Sequence, residues 1–243
     1  MPTEAPDGRG TMYFQHSPQL WAAHPDLVAG VVVVADGITP DADARARVAD
    51  FTAAALDRLA RDGSEAELPE IRAWRRTFAG MGLKPTQYRC ASEALLRRVR
   101  KEGSLPSIHP LVDLCNAVSA AFAIPVAALD LAAVTGGLTV RPADGTEEYE
   151  TFGGDIEHPA PGEVTYADEA GRAHARRWTN RQSGRSAVRP ATASVVIVAE
   201  ALHETAAADV PKLVASLADE IATLWPVTPT TARVTETTPR LDF

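Results

Sequence analysis

Along the chain the apolar positions keep two rhythms, helical in the first half and strand-like in most of the second. "LVAGVVVVADG" (27–37) is an unbroken β-branched run of strand length, stopped by Asp36-Gly37, and predicts a buried strand. From 41 to 63 the residues Val48, Phe51, Ala55 and Leu59 recur on one helix face until Gly63 ends the pattern. A second helix is expected from Pro69, burying Ile71, Trp74 and Phe78 and closed by Gly80 and Gly82. In "GMGLKPTQYRCASEALLRRVRK" (80–101) Leu95, Leu96 and Val99 make a third apolar stripe, ended by Gly103. A fourth helix follows from Pro110, with Leu111, Leu114, Val118 and Phe122 in step and Ile124-Pro125 as the stop.

Beyond that point strands are expected at "VAALDL", "LTVRP", "EYETF", "GEVTYAD", "RAHARRWTN" and "SVVIVAEAL", punctuated by Gly-Gly, Asp-Gly and "DEAG" turn signals. A last amphipathic helix, "DVPKLVASLADEIATLW", stops at Pro226. Residues 1–12 and 227–243 read as loosely held ends, with Leu241 and Phe243 able to dock. No repeat or linker divides the chain. Strand, several helices, a run of strands and a helix, in that order, argue one α+β domain over 1–243 with segregated layers.

Charge changes the picture. The formal net charge is −8, which taken alone argues against a nucleic-acid partner. Its distribution argues the other way. Nine Lys/Arg lie between Arg72 and Lys101 against the one acid Glu93, with Glu102 following, and six Arg lie between Arg172 and Arg189 with no acid. A polyanion could be held at these two segments and repelled elsewhere. Cys90 and Cys115 have no CxxC or His partner and read as free buried thiols. No apolar run reaches the ~20 residues a membrane span needs, and the N-terminus lacks the features of a secretory signal, so a cytoplasmic location is expected.

At "WRRTFAGMGLKPTQYRCASEALLRRV" and then "LPSIHPLVDLCNAVSAAFAIPVAALDL", the chain resembles the editing domain of the phenylalanyl-tRNA synthetase β subunit, in its freestanding form. The likeness continues through "GEVTYADEAGRAHARRWTNRQSGRS" and covers roughly residues 70–200. In the synthetase this domain hydrolyses tyrosine wrongly attached to tRNA. The resemblance implies a β-sandwich-like core with flanking helices, and a deacylase acting in trans on misacylated tRNA. One departure stands out: freestanding members commonly carry Asn where this chain has His109.

Hydrolysis of an aminoacyl ester needs a positioned water and stabilisation of the tetrahedral oxyanion. No GxSxG or HExxH motif is present, which suits a site of hydrogen-bond donors better than a protein nucleophile. His109, Asp113 and Asn116 are the catalytic candidates, Asp113 and Asn116 being three apart on one expected helix. His109 could equally cap that helix, and Asp113 and Asn116 could tie it to the β layer. Strand alternation in "RRWTNRQSGRS" puts Arg177, Thr179 and Arg181 on one face and Trp178, Asn180 and Gln182 on the other. Trp178, Asn180, Gln182, Ser183 and Thr192 are the pocket candidates, Trp178 either stacking on a base or lying in the core. Glu163 reads as a turn marker. Arg75, Arg76, Lys84, Arg89, Arg97, Arg98, Arg177 and Arg181 are expected to meet tRNA phosphates at the aminoacylated acceptor end. A non-catalytic tRNA-binding module and a free amino-acid-binding protein are the alternatives. No metal or organic cofactor, membrane or DNA is implied.

Overall fold

The computed structural model describes residues 11–243. The elements are β1 (Tyr13–His16), α1 (Pro18–Ala23), β2 (Val28–Val34), α2 (Arg45–Asp62), α3 (Pro69–Gly80), α4 (Ala91–Glu102) and α5 (Pro110–Phe122). Then come β3 (Val126–Asp130), β4 (Gly137–Pro142), β5 (Tyr149–Glu150), β6 (Ile156–Glu157), β7 (Val164–Asp168), β8 (Ala175–Arg176), β9 (Arg181–Gln182) and β10 (Val195–Ala201). The chain closes with α6 (Ala206–Leu224), β11 (Thr230–Val234) and β12 (Arg240–Asp242).

Two four-stranded sheets carry this mixed α+β architecture, ordered β12-β1-β4-β7 and β11-β2-β10-β3. Strand β2 explains its own sequence. Ala29, Val31 and Val33 point toward the first sheet and pack with Phe14, Leu138, Val140 and Tyr166. Val28, Val32 and Val34 point the other way, onto Leu111, Leu114 and Val118 of α5 and Val210, Leu213 and Leu217 of α6. A strand clothed on both faces has no reason to alternate, hence the continuous valines. At Gly30 the helix comes so near that a Cβ would overlap Val210 and Val214. Helices α3 and α4 deliver Trp74, Phe78, Leu96 and Val99 to the core shared by the two sheets.

Three expectations change. The C-terminal segment is not loosely held: Thr230–Val234 pairs antiparallel with β2, and Tyr13, Phe14 and Gln15 pair with Asp242, Leu241 and Arg240. Leu241 and Phe243 dock as anticipated. Residues 1–10 lie outside the described part of the chain. "EYETF" contributes only Tyr149–Glu150 to a two-stranded ribbon with β6.

The largest change is at "RAHARRWTN", which is not one strand. It turns sharply after Arg176, with Arg177 and Trp178 both in the left-handed region at φ 51° and 59°. The reason is long-range bonding that outweighs strand preference. Glu163 accepts from the Arg176 guanidinium at 2.6 and 2.9 Å and from the Arg177 N–H at 2.9 Å, so this supposed turn marker is a clamp. The Trp178 N–H donates to the Val164 carbonyl at 2.7 Å. With this bend the expected alternation of faces from Arg177 to Gln182 disappears. Among the described residues no helix is long and apolar enough to cross a membrane.

Candidate functional site

The bend drives the Trp178 ring into the core, where it is 1% exposed. It meets Trp74 edge-on at 4.9 Å and His24 at 5.0 Å, so it is a wall and offers no platform for a base. Its indole N–H donates to Glu200 Oε2 at 2.9 Å. Glu200, itself 1% exposed, sits in the otherwise apolar strand β10 and collects two more groups. His16 Nε2 lies 2.6 Å from its Oε1, and the Tyr166 hydroxyl donates to its Oε2. Burial and the charge of Glu200 hold the Tyr166 phenol well above its ordinary pKa, so it stays a donor. A buried carboxylate costs several kcal/mol unless donors surround it, and three do.

Glu200, Tyr166 and Trp178 of this cluster form the floor of a cavity of about 70 Å³. Val126, Ala127, Leu129, Ala175 and Val198 are its apolar walls, and Ala91, Thr179, Asn180, Arg181 and Gln182 line it as well. His174, 0% exposed, also lines it, and its Nδ1 has no hydrogen-bond partner among the described residues. Nε2 of the same ring lies 3.3 Å from Asp168 Oδ2, a charge contact without hydrogen-bond geometry. Burial opposes the charge on Asp168, but the His174 contact and the N–H groups of Thr135 and Arg172 prevail and keep its pKa low. Thr179 Oγ1 is a third buried atom without a partner among the residues that line this cavity. Unpaired buried polar atoms are uncommon in folded proteins, and two residues lining this one small cavity carry three of them.

The two cationic segments meet here. Ala91 N–H donates to the Thr179 carbonyl at 2.8 Å, Asn180 Nδ2 to the Arg89 carbonyl at 2.7 Å, and the Arg177 guanidinium lies 4.6 Å over the Tyr88 ring. Most of their cations already have carboxylates. Arg75 grips the fully buried Glu93 at 2.6 and 3.1 Å, and Arg89 adds a contact at 3.3 Å. Arg97 and Arg100 share Glu65, Arg98 pairs with Glu102, and Arg181 with Glu157. In the Arg98–Glu102 and Arg181–Glu157 pairs both partners are well exposed, and such pairs are worth roughly 1 kcal/mol or less, so a phosphate can displace them, whereas Arg97 and Arg100 hold the buried Glu65. The Arg75–Glu93 pair is structural by the same reasoning, since losing it strands a buried charge. Arg76, Lys84 and Arg177 have no carboxylate partner among the described residues.

Of the pocket candidates, Trp178, Asn180 and Gln182 line the cavity, Gln182 Nε2 donating to the Ala128 carbonyl at 2.8 Å. Ser183 and Thr192 lie outside it. The Ser183 hydroxyl donates to the Glu150 carbonyl and the Thr192 hydroxyl to Asp130 Oδ2.

His109 and Asp113 lie together, and Asn116 faces elsewhere. His109 caps α5, its Nδ1 accepting from the Leu111 N–H at 3.2 Å, and burial pulls its pKa below the usual 6.5 against the charge of Asp113. Asp113 accepts from the Ile108 and His109 N–H groups and from the Ser107 hydroxyl, fixing the turn before the helix. Both border an open groove of about 780 Å³ beside α2, larger than the Glu200 cavity but with fewer unpaired groups. Asn116 faces a third cavity, of about 120 Å³, which shares Val126 and Gln182 with the Glu200 cavity.

Neither cysteine offers a thiolate: burial pushes Cys90 up to about 11 and Cys115 up to about 12. Glu70, His203 and Asp209 bring possible metal-ligand atoms within 4.8 Å of one another. Arg58 already binds both oxygens of Glu70, and Lys212 binds Asp209, so that set is charge-balanced without a dication.

His16, Tyr166, His174 and Glu200 were not singled out by sequence reasoning. The one available signal was an acid inside the apolar run "SVVIVAEAL".

A family model described as the B3/4 domain matches residues 73–215, more than half of the chain. No curated protein matches it. A solved N-terminal fragment of the phenylalanyl-tRNA synthetase β subunit from Pyrococcus horikoshii is similar at 9% identity, with a TM-score of 0.49, covering 90% of this chain. The chain spans about half of that fragment, 53%. A likeness of that size carries no weight beyond itself.

Proposed function

The chain belongs to the B3/4 domain family, that of the phenylalanyl-tRNA synthetase β subunit, and from this premise we propose that it is a trans-editing aminoacyl-tRNA deacylase. The observation that carries the reading is the cavity at the junction of the two cationic segments, with unpaired buried polar atoms on its wall and a saturated carboxylate beneath it. The aminoacyl side chain enters the cavity and the acceptor end lies across Lys84, Arg177 and Arg181. Its phosphates displace weak surface ion pairs rather than the buried one.

Water adds to the ester carbonyl, the bond to the ribose oxygen breaks, and a proton passes to that oxygen. The Arg181 guanidinium and the Asn116 amide from the adjoining cavity stabilise the oxyanion. His109 and Asp113 hold the turn that positions α5 and, with it, Asn116. A protein nucleophile has no part, in keeping with the buried, protonated cysteines. Such work belongs in the compartment of translation, so a cytoplasmic location goes with this reading.

The test is release of free amino acid from a broad panel of aminoacyl-tRNAs by micromolar protein. Acceleration with at least one member is expected, and none with any would end the proposal. Binding should weaken steeply with salt, and Arg177→Ala should lower the slope of log K against log salt by about 1.

A second reading, a receptor for a free amino acid, draws on the carboxylates that already neutralise most of the cationic segments. It requires affinity for a free amino acid that hardly responds to salt, which calorimetry measures directly.

A further inference from the structure

The cavity is small and its floor is fixed. About 70 Å³ is less than half of the ~150 Å³ that holds benzene in an apolar cavity, and close to the share of liquid volume of two waters. A phenol or phenyl ring does not fit unless Tyr166 or Trp178 yields, and both are hydrogen-bonded to the same buried carboxylate. Glu200 is occupied too: His16, Tyr166 and Trp178 already use its oxygens, which leaves it poorly placed to receive the hydroxyl of an incoming tyrosine. The alanines at 127 and 175 and the valines at 126 and 198 suit a short side chain. His174, at Nδ1 and Nε2, and Thr179, at Oγ1, are the lining residues with buried polar atoms that lack a hydrogen-bond partner among the described residues.

Resting on the deacylase reading, we propose that the cavity selects a short hydroxyl-bearing side chain, that of serine or threonine, and rejects aromatic ones. The hydroxyl pairs with the orphaned groups of His174 and Thr179, and the ring-sized alternatives meet the Tyr166–Glu200–Trp178 floor. Specificity would then depart from the tyrosine removed by the synthetase domain that the sequence resembles.

Two measurements decide it. In the first, seryl-, threonyl-, alanyl-, phenylalanyl- and tyrosyl-tRNA are presented to the full chain. Seryl- or threonyl-tRNA is expected to be hydrolysed at least about 10-fold faster than the aromatic pair, the scale on which pocket fit discriminates. Faster loss of tyrosine or phenylalanine overturns the inference and leaves the deacylase reading standing. Alanine removed as fast as serine overturns the hydroxyl half of it.

In the second, calorimetry compares 3′-amide-linked seryl- and tyrosyl-adenosine, which cannot be hydrolysed. If no aminoacyl-tRNA is deacylated, the enzymatic reading falls and this titration alone decides: tighter seryl binding supports the selection, and equal, reversed or absent binding overturns it. Trp178→Ala should open the cavity to tyrosine but removes a core ring. Ala127→Leu therefore serves as the second variant, on a half-buried strand position, and should cut seryl affinity about 10-fold with its melting temperature kept. Unchanged seryl affinity in a folded Ala127→Leu protein also overturns the proposal.

Discussion

Two carboxylates organise polar clusters in this protein, and they do so at opposite ranges. Asp113 gathers the Ser107 hydroxyl and the N–H groups of Ile108 and His109, all within six residues of itself. Glu200 gathers Trp178, Tyr166 and His16, which are 22, 34 and 184 residues away. The local cluster shapes a turn. The distant one ties β1, β7, β10 and the bent hairpin together, and all but β1 contribute to the floor of a cavity. A short-range cluster can be replaced by any other way of making the turn, whereas the long-range one is assembled only by the whole fold.

The sharpest way to break this comparison is to remove both acids in turn. Glu200→Leu should cost roughly 4 kcal/mol, because three buried donors lose their acceptor at once. Denaturant unfolding measures it, and a loss below about 1 kcal/mol would mean that the cluster does not bind the sheets together. Asp113→Ala should cost less, about 1–2 kcal/mol, since the freed N–H groups lie beside the exposed Ile108 and can turn to water. Equal losses at the two positions would erase the contrast.

The smallest effect concerns pH. Burial holds the folded-state pKa of His109 below 6.5, so between that lowered value and 6.5 the unfolded chain binds more protons than the folded one. Stability must then fall as the pH drops through this window. Asn, a capping residue that does not titrate, should make the fall shallower: the melting temperatures of His109→Asn at about pH 7.5 and 5.5 should lie roughly one or two degrees closer together than those of the parent. His24, also lowered by burial, keeps part of the slope in both proteins. Identical slopes would show that the His109 ring is not held neutral by its place at the helix start.

What could be read in the sequence follows the same division of ranges. The five long helices and β2 carry their signal within one window, in apolar spacing, Pro at the first turn and Gly after the last. Strands β1, β11 and β12 carry almost none. Tyr13 pairs with Gly137 and Asp242, and Thr230 with Val33, so these segments become strands only because distant partners are already there. The hairpin at Arg177 and Trp178 misled the strand reading for a related reason: Glu163 and Glu200 hold its bend from outside the window. Asn180 and Gln182 stood out in the sequence by their polarity beside a basic run, and Trp178 by its large ring, and all three line the cavity. Glu200, Tyr166, His174 and His16 could not, since each is ordinary until the sheets bring it to the others. The cationic stretch at 80–101 was conspicuous for a different reason. Glu65 answers Arg97 and Arg100 of this stretch, and Glu157 answers Arg176 and Arg181 of the other basic segment, both from outside the two segments, so charge that looks unbalanced along the chain is largely balanced in space.

The bend at Arg177 and Trp178 has one more consequence. Two successive side-chain-bearing residues held in a left-handed backbone store strain of order 1–3 kcal/mol each, met by the packing of Trp178 and the clamp of Glu163. That cost falls on folding and is the same whether or not the cavity is filled. An incoming group therefore meets a wall already in its final shape, and its association loses little entropy to ordering the protein. Binding should then be rapid and nearly rigid, with discrimination between side chains residing in how soon the wrong one leaves.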